Sequence, residues 1–187
     1  MKREEALKLL RKYLKDEKLV KHCIATGAIM RMLARELGEN EERWEVVGIL
    51  HDIDYEVVEK DMKRHGSEGE RILLKEGVEE GIARVVGRHN HFALGIGIEE
   101  YEEPIEIALQ CADNLSGLVI ACALVKGGKL SEVSVKTVKK KFKEKCFAAG
   151  CLRENIRLVE KLGIQLERAF ELAIEGMLSV KDELGLR

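Results

Sequence analysis

The octapeptide Val47–Asp54, VGILHDID, joins an apolar helical run to two adjacent metal-binding side chains, His51 and Asp52. A neutral imidazole and a carboxylate are both good ligands for a divalent metal. Neighbouring residues on a helix point about 100° apart, so both can face one site only where the helix ends. The polar residues after Ile53 predict such an end. A metal site here therefore depends on whether further ligands converge on this pair.

Helical periodicity extends on both sides of the octapeptide, and a single proline with few β-branched runs favours helices over sheet. The predicted helices are Lys2–Leu14, Lys18–Leu37, Glu41–Leu50, Gly66–Glu76, Glu79–His89, Pro104 to about Leu124, Val135–Phe147, Leu152–Leu162 and Ile164–Leu184. Two stretches, Ile53–Arg64 and Phe92–Glu103, are predicted to be loops. The sequence therefore predicts an all-α helical bundle.

The chain has 187 residues, 45% of them apolar and 35% charged, which is typical of a globular protein with a sizeable core. We expect residues 1–187 to form one domain, with a metal-site core over about 18–125 and C-terminal helices over about 134–184 packed on it. A net charge of -2 gives no general attraction to nucleic acid or to anionic membranes.

The start of the chain, Met1–Asp16, is charged and amphipathic, so we expect no signal peptide, and no apolar stretch is long enough to cross a bilayer. Five cysteines without a CxxC spacing indicate reduced thiols and a cytoplasmic protein. Abundant Glu, Lys and Arg beside scarce Gln and Asn hint at a thermophilic source.

Further ligand candidates lie on both sides of the octapeptide. All five histidines fall between His22 and His91, although a single histidine is more often a core or surface residue than a ligand. Asp113 lies in the otherwise apolar run from Ile105, where burial of a carboxylate is costly unless it is paired or bound to a metal. The alternative is that Asp113 faces solvent or caps a break before Gly117.

The order His22, His51-Asp52, Asp113 resembles that of the HD superfamily of metal-dependent phosphohydrolases. In that superfamily these four positions are the ligands of one divalent metal inside an all-α domain. The blocks 50–56, 64–66, 112–118, 135–142 and 147–150 also resemble a group of small predicted hydrolases of this superfamily. The resemblance implies the chemistry but not the substrate.

The same superfamily contains two-metal members, in which a histidine after the HD loop and a later His-His pair hold a second ion. This chain offers His65 and His89, but Asn90 replaces the second histidine of the pair and His91 follows it. Residues two apart on a helix face different ways, so His89 and His91 could both be ligands only beyond a helix end. One metal or two therefore remains open, and these histidines could instead bind phosphate.

If the chain is a hydrolase, the resemblance implies attack by a metal-bound water on a small phosphorylated metabolite, such as a nucleotide or phosphate monoester. His and carboxylate ligands suit Mn, Fe, Co, Ni or Zn. Asp52, as a ligand, and Asp54, as a general base or water-orienting group, are the catalytic candidates. Asp54 could equally be a turn or cap residue.

Positive charge for the substrate phosphate could come from two places. Arg64 and Arg88 adjoin the histidines, and Lys139 and Lys140 lie on a basic helix face. That face could also be merely solvated, and the acidic total makes nucleic acid an unlikely ligand.

Two other functions stay open beside the phosphohydrolase. One is a metal- or ligand-binding regulatory module without turnover, and the other is a di-iron oxygenase, which would need the second metal site filled. The sequence leaves homo-oligomer formation undecided.

Overall fold

The protein is built from α-helices without any β-strand, which confirms the predicted all-α class. A computed structural model describes all 187 residues. The helices are α1 (Arg3–Tyr13), α2 (Glu17–Leu37), α3 (Glu41–Leu50), α4 (Ser67–Lys75), α5 (Glu80–Arg88), α6 (His91–Leu94), α7 (Pro104–Leu124), α8 (Val135–Lys143), α9 (Arg153–Arg157), α10 (Leu166–Ser179) and α11 (Lys181–Leu184). Three 3₁₀ turns cover Ile98–Glu100, Leu130–Glu132 and Leu158–Leu162.

Helix α2 lies at the centre and packs against α3, α7 and α10. It approaches α3 closely because glycines face each other at the crossing: a Cβ atom on Gly48 would lie only 2.7 Å from the Cα atom of Gly27. The two backbones are therefore in direct contact there. This contact brings the rings of His22 and His51 to 5.2 Å between centroids.

Helix α7 is the other long core element. By length and composition it could cross a bilayer, but 67% of its most apolar stretch is buried inside the protein. A cluster of 51 buried apolar residues surrounds α2 and α7 and extends from Ala6 to Leu186. The apolar character of α7 is therefore that of a core helix, and Asp113 lies within it.

The predicted loop Phe92–Glu103 is partly helical, since it contains most of α6 and a 3₁₀ turn. The Asn90 side chain accepts a hydrogen bond from the Ala93 N–H at 3.4 Å and caps α6, and Gly95 ends it in the left-handed conformation with φ 65°. Both signals are local, but four residues are too short to show a helical apolar pattern.

Three C-terminal helices differ from their predicted bounds. Helix α8 ends at Lys143 instead of Phe147, and the run Leu152–Leu162 divides into α9 and a 3₁₀ turn. The predicted helix Ile164–Leu184 breaks at Val180, which has φ −121° and ψ 15°. At the end of α8 the Arg153 side chain accounts for the difference, because it binds backbone carbonyls there that would otherwise continue the helix.

Candidate metal centre and cleft

Six side chains from separate parts of the chain converge at one end of the bundle. Helix α2 supplies the first, the end of α3 the next two, and α7 the last, while the turn before α4 and the end of α5 supply one histidine each. They are His22, His51, Asp52, His65, His89 and Asp113. Helix α3 ends at Leu50, which allows His51 and Asp52 to face the same cluster.

Asp52 lies between two groups of imidazoles. Its Oδ2 atom is 3.3 Å from His51 Nε2 and 3.7 Å from His22 Nε2. Its Oδ1 atom is 3.3 Å from His65 Nε2 and 3.6 Å from His89 Nε2. One carboxylate therefore belongs to both groups, with one oxygen directed to each.

Asp113 completes the first group. Its Oδ1 atom is 3.0 Å from His22 Nε2 and 3.7 Å from His51 Nε2, and its side chain is 34% exposed. The exposed part of Asp113 opens onto the cleft, and its carboxylate lies beside the histidines.

Backbone carbonyls fix two of the imidazole tautomers. His51 Nδ1 donates to the Gly48 carbonyl at 2.8 Å, and His89 Nδ1 donates to the Val86 carbonyl at 2.6 Å. A carbonyl oxygen only accepts, so the proton is on Nδ1 in both rings. Their Nε2 atoms keep a lone pair, as a metal ligand requires.

Side-chain oxygens orient the other two rings in the same way. His65 Nδ1 lies 2.8 Å from Asp54 Oδ1. His22 Nδ1 lies 3.0 Å from the hydroxyl of Ser116, which donates its own proton to the Asp113 carbonyl at 2.8 Å and so accepts from the imidazole. All four rings therefore direct Nε2 into the cluster.

Two observations test whether a cation fits these donors. His51 Nε2 is buried and has no hydrogen-bond partner. His65 Nε2 and His89 Nε2 lie 3.0 Å apart, so in neutral rings protonated at Nδ1 two lone pairs face each other unless a proton or a cation lies between them. Buried nitrogen lone pairs without a partner are costly, and a divalent cation would satisfy those of all three rings. The donor set therefore fits a metal.

The charges of the cluster favour a cation as well. Burial disfavours the charged form of His65, but the carboxylates of Asp52 and Asp54 outweigh it and raise the pKa of His65 to about 9. Burial likewise opposes ionisation of Asp52, yet the adjacent imidazoles hold the pKa of Asp52 well below its usual range. Protons and metal ions therefore compete for the same imidazoles.

Asp54 is fully buried and does not reach the cleft. Its oxygens accept three hydrogen bonds of 2.8 Å each, from His65 Nδ1 and from the N–H groups of Gly66 and Gly69. Of the two sequence interpretations of Asp54, this position favours the turn residue over a general base or a water-orienting group. Its position indicates that it holds His65 and fastens the start of α4 to the turn.

We expect Asp54→Asn to weaken metal binding by the His65–His89 group about tenfold or more. An amide oxygen facing the two glycine N–H groups would leave the amide N–H₂ facing His65 Nδ1. That contact moves the His65 proton to Nε2 and removes the lone pair from the cluster. Calorimetric titration with Mn²⁺ measures the change, and Asp61→Asn, on an exposed carboxylate of the same turn, is the control. Equal affinities of wild type and Asp54→Asn would contradict this role.

A cleft of about 340 Å³ opens beside the cluster. Asp52, His65, His89 and Asp113 form part of its wall. His91 also lines it, next to Phe92, with ring centroids 4.0 Å apart. His91 does not belong to either imidazole group, although α5 has ended before it, so the structure separates it from the ligand candidates.

None of the four predicted phosphate-binding cations lines the cleft. Arg88 binds Glu106 at 2.7 Å, and Lys139 pairs with Glu167. Arg64 and Lys140 point outward from the turn and from α8 and are exposed. The structure therefore gives no support for a phosphate-binding role of these residues, whether predicted from their proximity to the histidines or from the basic face of α8.

Two residues beside the cluster were not among the predicted site residues. The thiol of Cys23 lies within 4.8 Å of ligand atoms of His51 and Asp52, even though Cys23 is the helical neighbour of His22. Burial raises the pKa of this thiol, so it contacts the cluster in its neutral form. Ser116 was not singled out either, because its role depends on α2 and α7 being adjacent.

Residues 19–117, just over half of the chain, match the family described as HD domain. Comparison with curated proteins and with solved structures gave no significant match. The matched range contains all six side chains of the cluster. The chain therefore belongs to the HD domain family.

Proposed function

We propose that this protein is a divalent-metal-dependent phosphohydrolase that acts on a small phosphorylated metabolite, such as a nucleotide or a phosphate monoester. The observation that carries the proposal is the set of four imidazoles beside a cleft, all held at Nδ1. Their Nε2 atoms face Asp52, which both groups share, and Asp113, which belongs to the group of His22 and His51. HD domains are generally metal-dependent phosphohydrolases.

We propose His22, His51, Asp52 and Asp113 as one ligand set, and Asp52, His65 and His89 as a second. Mixed nitrogen and oxygen donors suit Mn, Fe, Co, Ni or Zn. These residues would hold a divalent ion, which would supply a water molecule of lowered pKa and polarise a phosphoryl oxygen. The facing Nε2 atoms of His65 and His89 favour two ions over one.

The chain's own groups prepare this site in three ways. Asp52 is placed to act in both ligand sets, and Asp54 keeps the His65 ring oriented. The cleft admits a small molecule directly to the cluster.

All five cysteines are free thiols, which supports the cytoplasm as the proposed location.

The test is elemental analysis with a phosphate-release screen on wild type, His51→Ala and His65→Ala, all purified without chelator. We expect about two metal ions per wild-type chain and the loss of about one in each variant, because each substitution removes a ligand from a different group. His91→Ala is the matched control, since it removes a cleft histidine outside both groups. Phosphate release should fall sharply in His51→Ala and His65→Ala but not in His91→Ala.

The same samples separate the rival functions. Bound metal without phosphate release from any nucleotide or phosphate monoester would favour a binding or regulatory module. Bound iron with visible absorption and oxygen consumption would favour a di-iron oxygenase. No metal after exposure to Mn, Fe, Co, Ni and Zn would refute the proposal.

A further inference from the structure

Two buried side-chain atoms in the whole protein lack a hydrogen-bond partner, His51 Nε2 and Asn155 Oδ1. The first belongs to the imidazole cluster. The second belongs to Asn155 on α9, a residue of the wall of the same cleft that is only 2% exposed. Asn155 is outside the residues that match the HD domain. Its free oxygen is therefore a feature of the C-terminal part of this chain.

A chain of amides fixes which atom of Asn155 is free. The His89 carbonyl can only accept, so the Gln110 atom 2.6 Å from it is Nε2. Gln110 Oε1 then faces Asn155 and accepts from Nδ2 at 3.0 Å. Because this order starts at a backbone carbonyl, the two amides cannot flip separately. The remaining Asn155 atom must be the acceptor Oδ1.

The other cleft amides are already used by the protein. Asn114 donates to the Gln110 carbonyl at 3.0 Å and accepts from the Leu152 N–H at 2.8 Å. Asn90 donates to two backbone carbonyls and accepts from one N–H group. The oxygen and nitrogen of each of these side chains therefore have at least one protein partner. Among the amides of the cleft, Asn155 Oδ1 is the one buried atom without any partner.

We propose that Asn155 Oδ1 accepts a hydrogen bond from a hydroxyl group on the organic part of the substrate. Asn155 shares the wall of the cleft with the ligand candidates Asp52, His65, His89 and Asp113. A small phosphate ester held at the cluster would place its organic part in this cleft, where a sugar or a polyol carries hydroxyl groups. The substrate class is that of hydroxylated phosphate esters, which includes polyol phosphates and ribosyl phosphates. This inference rests on the proposed function.

An unpaired buried acceptor makes binding selective for ligands that carry a hydroxyl group. A buried acceptor that stays unpaired in a complex destabilises it, so a ligand without the hydroxyl is rejected. A ligand with the hydroxyl meets an acceptor whose orientation is already fixed, with little further ordering to lose.

The experiment compares non-hydrolysable ligands that differ only in hydroxyl groups, by calorimetry on Mn²⁺-loaded protein. One pair is 3,4-dihydroxybutyl phosphonate and butyl phosphonate. The other pair is the 5′-methylene phosphonates of adenosine and 2′,3′-dideoxyadenosine. We expect wild type to bind the hydroxylated member of at least one pair about tenfold more tightly. Discrimination within the first pair would identify a polyol group on the substrate, and discrimination within the second pair would identify a ribosyl group.

Asn155→Leu should abolish this discrimination, so that both members bind as weakly as the deoxy ligand does to wild type. A structural role alone would instead weaken both members by the same factor. Retained discrimination in Asn155→Leu, or no discrimination by wild type in either pair, would overturn the inference. If the variant does not fold, a crystal structure of wild type with the hydroxylated ligand decides: a ligand hydroxyl within hydrogen-bond distance of Oδ1 supports it, and a water molecule there refutes it.

The outcome is separate from that of the proposed function. Hydroxyl-dependent binding lost in Asn155→Leu, without phosphate release by wild type, would keep the acceptor and reject the hydrolase. Phosphate release with unchanged discrimination in Asn155→Leu would keep the hydrolase and reject the acceptor.

Discussion

Replacing Asp52 with Asn is expected to remove bound metal from both imidazole groups and to lower phosphate release roughly 10³-fold or more. Asp52 is the one carboxylate that reaches both groups, with Oδ2 3.3 Å from His51 Nε2 and Oδ1 3.3 Å from His65 Nε2. Asn keeps the shape of Asp but loses its charge. Its N–H₂ group must also face the Nε2 lone pairs of one of the two imidazole groups. Elemental analysis and the phosphate assay on the same sample measure both effects.

Asp113→Asn is the matched comparison, because Asp113 contacts only the group of His22 and His51. We expect Asp113→Asn to lose about one metal ion and Asp52→Asn to lose about two, because Asp113 belongs to one proposed ligand set and Asp52 belongs to both. Circular dichroism should show both variants folded. Full metal content in Asp52→Asn would contradict the shared-carboxylate arrangement, even if activity fell.

Much of the fold follows from local signals. Helix α3 begins and ends where the sequence predicts, with Asn40 capping it, and α7 begins at Pro104. The residues of the proposed first ligand set come together because α2, α3 and α7 are apolar core helices with most of their residues buried. Their packing against one another then places single residues of each helix at the same end of the bundle.

Predictions that depended on contacts between distant segments were less accurate. Asp54 was proposed as a general base, but its partners are N–H groups 12 and 15 residues later, brought together by the turn. Arg88 adjoins His89 in sequence but turns toward Glu106 on α7. Neither arrangement leaves a periodic pattern in the sequence, because each depends on tertiary packing of a single side chain.

The wall of the cleft that carries Asn155 depends on one cation, Arg153. Its five N–H groups lie within hydrogen-bond distance of six backbone carbonyls, those of Lys141, Phe142, Glu144, Phe147, Ala148 and Cys151. These carbonyls end α8 and shape the following loop, in which Ala148 has a left-handed φ of 46°. Such a conformation is costly for a residue with a Cβ atom and persists only where its surroundings hold it.

Arg153→Ala is therefore expected to lower the free energy of unfolding by about 3 kcal/mol, since several carbonyls lose a charged donor at once. The loop also supplies Gly150 and Leu152 to the cleft, so ligand affinity should fall as well. Metal content should stay near that of wild type, because no proposed ligand lies on this loop. Denaturant unfolding, calorimetry with the phosphonates and elemental analysis measure the three quantities.

Arg153→Lys provides the graded control. An ammonium group has three N–H donors and cannot fork as a guanidinium does, so we expect an intermediate loss of stability and affinity. Loss of metal in Arg153→Ala would mean that the loop supports the imidazole cluster itself. Unchanged stability would mean that the carbonyls are equally well solvated without the guanidinium. The expected combination, weaker ligand binding with full metal content, would assign the two halves of the site to different parts of the chain: the HD domain to the metal, and the segment around Arg153 to the ligand.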